Sequence, residues 1–390
     1  MSVPIAIGER LYTRHFWTAS ASHFLLGMGF WMFVVFPLHL ADLGASTVRI
    51  GVLLALEPTA AVLVRPGLGG LLARRGRRGI LRAGGVLNIV AVALYLVADD
   101  VGAGVASVRI LHGIGIGALF TTFFTYAADI SPVTRRTEGL AVFGISGILP
   151  TALAPPLGEE LVLRSGFTAM FSAAVAFSVA SLAFTWWLEE PELEETGDSP
   201  AHAFWRMAAE RRHAGVWATA FLFSLAMSSY VGFLEPHAHA LGFERAGLFF
   251  TCYSLAAVAL RFFGRTLPDR IGPRRMLVPA LASLAAGLYL VARLDSLATL
   301  GAAGLLCGMG HGYLFPILSG MAIEGTDRTT RAAAMSFFTA VFDLAQMVGP
   351  PLFGAVAGAA GYPAMFLLAM AGVAVAFAGW VATNVAEALT

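Results

Sequence analysis

The sequence predicts an all-α membrane protein of twelve spanning helices arranged as two pseudo-symmetric six-helix bundles, and three observations carry that reading. Of its 390 residues 58% are hydrophobic and 13% charged, with a mean hydropathy of +0.76; a soluble domain runs about half apolar and a quarter charged. The apolar residues fall in blocks of about 20 to 27, each long enough to cross a ~30 Å hydrocarbon core as a helix. A shift of 195 residues, half the chain, superposes Arg109 to Phe171 on Gly304 to Phe366 without a gap, with 18 of 63 positions identical.

Gly, Pro and charge clusters mark the span ends. The first block, His15 to Leu40, follows Arg10 and Arg14 and has no small-residue cleavage site, so it stays as a helix and is not a removed signal. Val48 to Leu72 ends in a glycine and arginine run; Gly79 to Ala98, Ala103 to Ala128, Thr137 to Leu161 and Gly166 to Leu188 complete the first six. The second six run Ala214 to Leu241, Ala246 to Thr266, Arg275 to Ala292, Leu297 to Ile323, Arg331 to Ala357 and Tyr362 to Val385. Residues 1–188 and 214–390 thus form two bundles joined by a cytoplasmic linker, 189–213, with an acidic start (Glu189, Glu190, Glu192, Glu194, Glu195, Asp198) and a basic end, Arg206 to Arg212.

All 25 basic residues are Arg, and the net charge of +1 gives no sign of a nucleic-acid partner. With an inner N-terminus, 18 arginines fall on the inner side and four (Arg49, Arg164, Arg245, Arg293) outside, a bias that places both termini in the cytoplasm. In the repeat, Gly113, Gly115 and Gly117 match Gly308, Gly310 and Gly312, Arg136 matches Arg331, and Pro155-Pro156-Leu157 matches Pro350-Pro351-Leu352. Low-complexity apolar sequence does not align Gly, Pro and Arg in one register, so the halves are a parallel repeat about an axis along the membrane normal. Cys252 and Cys307 lie within apolar blocks and form neither a disulfide framework nor a four-ligand zinc site.

After the second span the chain reads Gly69-Gly70-Leu71-Leu72-Ala73-Arg74-Arg75-Gly76-Arg77-Arg78; after the eighth it runs from Gly264 through Asp269-Arg270-Ile271-Gly272 to Arg274-Arg275. Both resemble the signature loop of the major facilitator superfamily, which implies a cytoplasmic gate at Gly69, Arg74, Gly76, Arg77, Asp269, Arg270 and Gly272. The second copy keeps the acid, Asp269, where the first has Ala73, which implies that the second loop is the stronger latch. Arg109-Ile110-Leu111-His112-Gly113 resembles the family's fourth-helix motif, where an Arg is linked to proton transfer. Gly144 to Gly158, ending Ala154-Pro155-Pro156-Leu157-Gly158 and followed by Glu159, resembles the fifth-helix motif associated with antiporters. The resemblance covers essentially the whole chain and implies a proton-coupled efflux transporter of the bacterial inner membrane. It also admits an importer or facilitator; a silent receptor or scaffold is disfavoured by the mid-membrane charges.

An ionised side chain near the bilayer centre costs about 2.5 to 3.5 kcal/mol and needs a reason. Glu57 lies ~13 Å past Val48, Asp343 ~18 Å past Arg331, and Arg109 ~9 Å below the outer face. These three are the candidate proton-coupling residues. Arg65 and Arg261, at equivalent places in the repeat, read as structural residues snorkelling to the interface. By the family's geometry spans one, four, seven and ten line the cavity, which nominates His23, Trp31, His112, Phe120, Phe123, Met227, Tyr230, His311, Tyr313 and Phe315 for substrate contact. His311 corresponds to Ile116, seven residues from Arg109 and nearly on its face. This aromatic majority suits an amphipathic compound.

His39 and Asp42 with Glu235, His237 and His239 gather at the outer ends of the first and seventh spans and invite a metal reading. Glu235 falls ~30 Å along its helix, at the interface, where polar residues need no special purpose, so no metal is expected. Gly113-Ile114-Gly115-Ile116-Gly117 follows no strand and is no nucleotide loop; its glycines suit close helix approach. No Walker sequence, HExxH or Gly-x-Ser-x-Gly occurs, so neither an ATP-driven pump nor an enzyme is expected. The expected partners are a small-molecule substrate, protons and the lipid bilayer, with no cofactor and a monomeric chain.

Overall fold

In the computed structural model residues 10–132, 135–191, 207, 211–264, 266–326 and 328–389 are described. Helix α1 (Arg14–Asp42) starts on Thr13, whose hydroxyl accepts from the Phe16 amide at 3.2 Å. A 3-10 turn at Met32–Val35 interrupts it, because Pro37 has no N–H for the Phe33 carbonyl and the Phe36 amide takes that carbonyl instead. Helices α2 (47–75) and α3 (77–94) are separated only by Gly76 at φ 71°. Then come α4 (Ala103–Asp129) and the pair α5 (136–165) and α6 (167–184), which meet at Gly166, φ 78°. The second half follows with α7 (Ala214–Ala240), α8 (Gly247–Phe263), α9 (Pro273–Ala292) and α10 (Leu297–Ala322). Last are α11 (328–360) and α12 (362–389), meeting at Gly361, φ 84°. Counted between these breaks the described residues form twelve long helices, one short helix at Leu267–Ile271 between α8 and α9, and no strand.

The 195-residue repeat reappears as geometry. Gly166 and Gly361, equivalent by sequence, are the kinks between fifth and sixth helices of each half. A Cβ on Gly113 of α4 would collide with the Glu57 carbonyl of α2, and one on Gly308 of α10 with the Tyr253 carbonyl of α8. Gly115 packs on Asn88 of α3 and Gly310 on Leu284 of α9. Glycine is required at these sites because the helix backbones touch where a side chain would stand.

Several helices run past their expected ends: α2 reaches 75, α9 starts at Pro273 and α11 at Arg328. Arginine-rich ends still satisfy their own backbone hydrogen bonds, and at three of these ends the break comes at a glycine with positive φ, Gly76, Gly272 and Gly325. Two aqueous ends result: a terminal face, holding the start of α1 and the end of α12, and a far face. At the far face, serine and aspartate caps secure the helix starts: Ser46 on the Arg49 amide at 3.3 Å, Ser296 on the Thr299 amide at 3.1 Å, and Asp100 on the Gly102 amide at 2.9 Å. The backbone amides of Gly102 and Val105 hold the Asp100 carboxyl below its ordinary pKa.

The halves meet most closely toward the far face. On α11, Gly354 and Gly358 pack against Thr47 of α2, and Gly51 of α2 abuts Pro350 and Gly354. On the other side α5 packs against α8, where a Cβ on Gly247 would stand 2.8 Å from the Pro156 nitrogen.

Candidate functional site

Pro58 lacks an N–H, so α2 leaves the Leu54 carbonyl without its intrahelical donor. Arg109 of α4 fills that vacancy: its Nη2 donates to the Leu54 carbonyl at 3.0 Å and its Nε to the Leu53 carbonyl at 3.2 Å. The same Nη2 reaches Glu57 Oε2 at 2.9 Å, and the guanidinium carbon lies 5.4 Å from the Phe36 ring centroid. Arg109 is 4% exposed. A buried guanidinium is tolerable only when paired and hydrogen-bonded, and the Glu57-Pro58 dipeptide supplies both the counter-charge and the open carbonyl.

About two helical turns toward the terminal face from Glu57, Arg65 of α2 forms an ion pair with Asp343 of α11. That bond spans the two halves, so Arg65, read from sequence as a snorkelling residue, is placed instead at the interface between bundles. Its partner choice was invisible in sequence because it depends on how the halves meet. Between the two ion pairs lies a cavity of about 300 Å³. Its walls bring together Trp31 of α1, Glu57 and Arg65 of α2, Arg109 and Phe120 of α4, Met227 of α7, and Asp343 and Gln346 of α11.

The remaining nominated aromatics and histidines pack off this wall. His23 bonds the Ser146 hydroxyl at 2.8 Å and stacks on Phe143 beside Phe123, inside the first bundle. His112 lies 3.4 Å from the Tyr95 hydroxyl. Tyr230 donates to Tyr253 at 3.4 Å, and the Tyr253 hydroxyl in turn bonds His311 Nδ1. Phe315 stacks on His311 and packs against Phe338 and Phe342. Tyr313 lines a separate pocket of about 500 Å³ near the terminal face, together with Arg261 and Pro268. Helix periodicity assigns a face but not depth within a two-layer bundle, so buried rings between helices of one half look the same in sequence as cavity rings.

At the terminal face the first glycine-arginine loop is tied within its own half. Glu190 places its carboxylate on the backbone amides of Arg77 and Arg78, the latter at 2.9 Å, and Arg77 Nε binds Asp129 at 2.8 Å. Gly76 is needed here twice over, for its positive φ and because a Cβ would strike the Glu190 carboxylate. Arg74 is exposed, as is Arg270 of the second loop, where Gly272 turns at φ 98°. The Asp269 side chain and the surroundings of Gly69 lie outside the described residues, as does most of the linker, 192–206.

The far face holds a group that sequence reasoning passed over. Pro156 leaves the Ala152 carbonyl of α5 free, and the Thr251 hydroxyl of α8 donates to it across the halves at 2.9 Å. One turn on, Glu159 Oε1 accepts from the Gly247 amide, an orphan donor of the first turn of α8, at 2.6 Å. Glu235 of α7 sits beside it and is 3% exposed. The sequence placed Glu235 at the interface by counting rise along α7; the end of α5 and the start of α8 cover it. Of its former cluster, His237 bonds the Val291 carbonyl at 2.9 Å and His39 packs on Phe167 and Phe171. Among the described residues no three His, Cys, Asp or Glu side chains converge as metal ligands.

Comparison with known proteins adds to this geometry. A family model described as Major Facilitator Superfamily matches residues 19–246 and 216–388. The chain is 24% identical over 354 residues to the Staphylopine export protein of Staphylococcus aureus, covering 86% of this chain and 87% of that one. It is 23% identical over 359 residues to Multidrug resistance protein MdtG of Yersinia enterocolitica, covering 88% and 86%. Among solved structures, the nucleoside transporter NupG superposes with a TM-score of 0.78 at 13% identity, covering 95% of this chain and 99% of its own. A bacterial homolog of the human lysosomal transporter Spinster, inward-facing and unoccupied, also gives 0.78, at 14% identity and 96% and 97% coverage.

Proposed function

The chain belongs to the major facilitator superfamily, and from that premise we propose that it is a proton-coupled secondary transporter exporting a small amphipathic organic compound by alternating access. The observation that carries the proposal is the cavity between the halves, with an ion pair at each end and aromatic walls. Trp31, Phe120 and Met227 suit the apolar part of a ligand, while Gln346 and the two ion pairs suit a polar or charged group. The arginine bias of the terminal face supports placing that face in the cytoplasm of a bacterial inner membrane. The relatives named for staphylopine export and multidrug resistance support the outward direction.

In this reading the far face is closed and substrate enters from the terminal side, past Arg65 and Asp343, whose side chains are 34% and 22% exposed. Glu57 carries the coupling proton. Protonation removes the charge that Arg109 pairs with, frees the guanidinium for an anionic group of the ligand, and so makes substrate and proton compete for one site. Asp343 makes the equivalent exchange with Arg65 at the seam between bundles, and the chain works as a monomer.

The test begins with a compound chosen by thermal stabilisation of the purified protein, since a ligand of the folded state raises Tm. In proteoliposomes, Glu57→Gln and Asp343→Asn are each expected to abolish gradient-driven transport of that compound while leaving substrate exchange. Wild-type pH dependence in both variants would overturn the assignment of the coupling residues. Uptake unaffected by collapse of the proton gradient would overturn the coupling itself.

A further inference from the structure

Glu159 and Glu235 come from opposite halves, α5 and α7, and their carboxyls lie within hydrogen-bonding reach of each other. They are 5% and 3% exposed. Glu159 has a second partner, the Gly247 amide, but Glu235 Oε1 is buried with no hydrogen-bond partner. Two ionised carboxylates cannot occupy such a place, because the like charges repel and neither is hydrated. One proton between them turns repulsion into a charge-assisted O–H···O⁻ bond.

The surrounding charges do not supply an alternative partner. Glu160 and Arg164 of α5 pair with each other, and Arg245 in the α7–α8 turn binds Glu160 at 3.2 Å while also acting on Glu159 from the exposed side. Glu244 of the same turn is exposed. His237 of α7 is engaged with the Val291 carbonyl, and His39 of α1 with two phenylalanine rings. None of these contacts brings a cation to Glu235.

We infer that Glu159 and Glu235 form a proton-binding site that latches the far-face gate: the pair holds one shared proton while the halves are closed there, and loss of that proton opens the gate. Opening α5 from α7 and α8 lets water reach both carboxylates, so the open form is the deprotonated one. Closed gates are therefore favoured at low pH and lost as pH rises through the titration of the pair. The inference rests on the alternating-access reading above and adds to it a protonation event at the gate, separate from the one at Glu57.

The test places nitroxide labels at Leu163→Cys on α5 and Leu241→Cys after α7, both exposed positions, in a chain carrying Cys252→Ser and Cys307→Ala. Pulsed electron paramagnetic resonance in lipid nanodiscs then reads the distance at about pH 5 and about pH 9, on either side of the range in which a buried carboxyl pair titrates. The parent is expected to show a short distance at low pH and a growing longer population at high pH. Glu159→Gln and Glu235→Gln, whose amides donate to the remaining carboxylate without a proton, should each hold the short distance at both. A parent distribution that does not change with pH overturns the latch. So does a pH shift that survives in both variants, which would assign it to His39 or His237. A parent that opens with pH yet transports nothing removes the transport reading and leaves the latch; one that transports with invariant distances does the reverse.

Discussion

Glu57, partly exposed at the cavity wall, and Glu235, 3% exposed, are both glutamates within helices of a membrane protein, and they answer desolvation in opposite ways. Glu57 has a guanidinium at 2.9 Å, itself anchored on carbonyls that Pro58 helps to expose. Glu235 has only another carboxyl and an oxygen without a partner. The first is neutralised by a counter-ion and the second by a proton. A charge pair tethers two helices of one half while the acid is ionised, whereas a shared proton ties two halves together only while the proton stays.

The largest expected break in this contrast is Arg109→Ala. It strips Glu57 of its partner and leaves the Leu54 carbonyl open, and losing one member of a buried pair costs about 3 to 5 kcal/mol. A marked fall in Tm is expected, partly restored in the Arg109→Ala, Glu57→Gln double variant because the orphan charge is gone; full additivity of the two changes would contradict the pairing. Glu235→Gln is expected to cost under about 1 kcal/mol, since it replaces a protonated acid by a neutral isostere. A Tm loss as large as that of Arg109→Ala would show that Glu235 is ionised and paired.

Next comes Thr251→Val, which removes the hydroxyl bound to the Ala152 carbonyl across the gate, a net loss of about 1 kcal/mol. It should raise the longer-distance population between α5 and α7 at every pH, unlike the carboxyl variants; an unchanged distribution would take Thr251 out of the gate. The smallest effect belongs to Asp100, a carboxyl in water at the start of α4. Its pKa is held below the ordinary value by the Gly102 and Val105 amides, so its contribution is present above the unfolded value of about 3.9 and is lost as pH falls through the folded one. Asp100→Ala should therefore lower Tm slightly at neutral pH and not at all in acid; equal losses at both would contradict the cap.

What could be read in the sequence follows the direction of the chain. The repeat fixed in advance which glycines are equivalent, and Gly166 with Gly361 and Gly115 with Gly310 hold matching places. The approach of Glu57 to Arg109 was readable as two charges at similar depth on neighbouring helices of one half. Arg65 with Asp343 and Glu159 with Glu235 were not, because each pair joins helices from different halves whose relative height no local pattern sets. A sharper signal was present at Glu159: an acid directly after Ala154-Pro155-Pro156-Leu157-Gly158, where the prolines free carbonyls and the helix meets another. His23 and His311 each bond through one ring nitrogen, Nδ1, to a hydroxyl of their own bundle, a partner that helix spacing alone does not reveal.

The most direct measurement is the infrared carbonyl absorption of protonated carboxylic acids, recorded at neutral pH for the parent, Glu57→Gln and Glu235→Gln. The account predicts an acid band in the parent that persists in Glu57→Gln, because Glu57 is ionised against Arg109. The same band should vanish in Glu235→Gln, because the new amide donates to Glu159 and leaves it a carboxylate. A band removed by Glu57→Gln, or one untouched by Glu235→Gln, would contradict it.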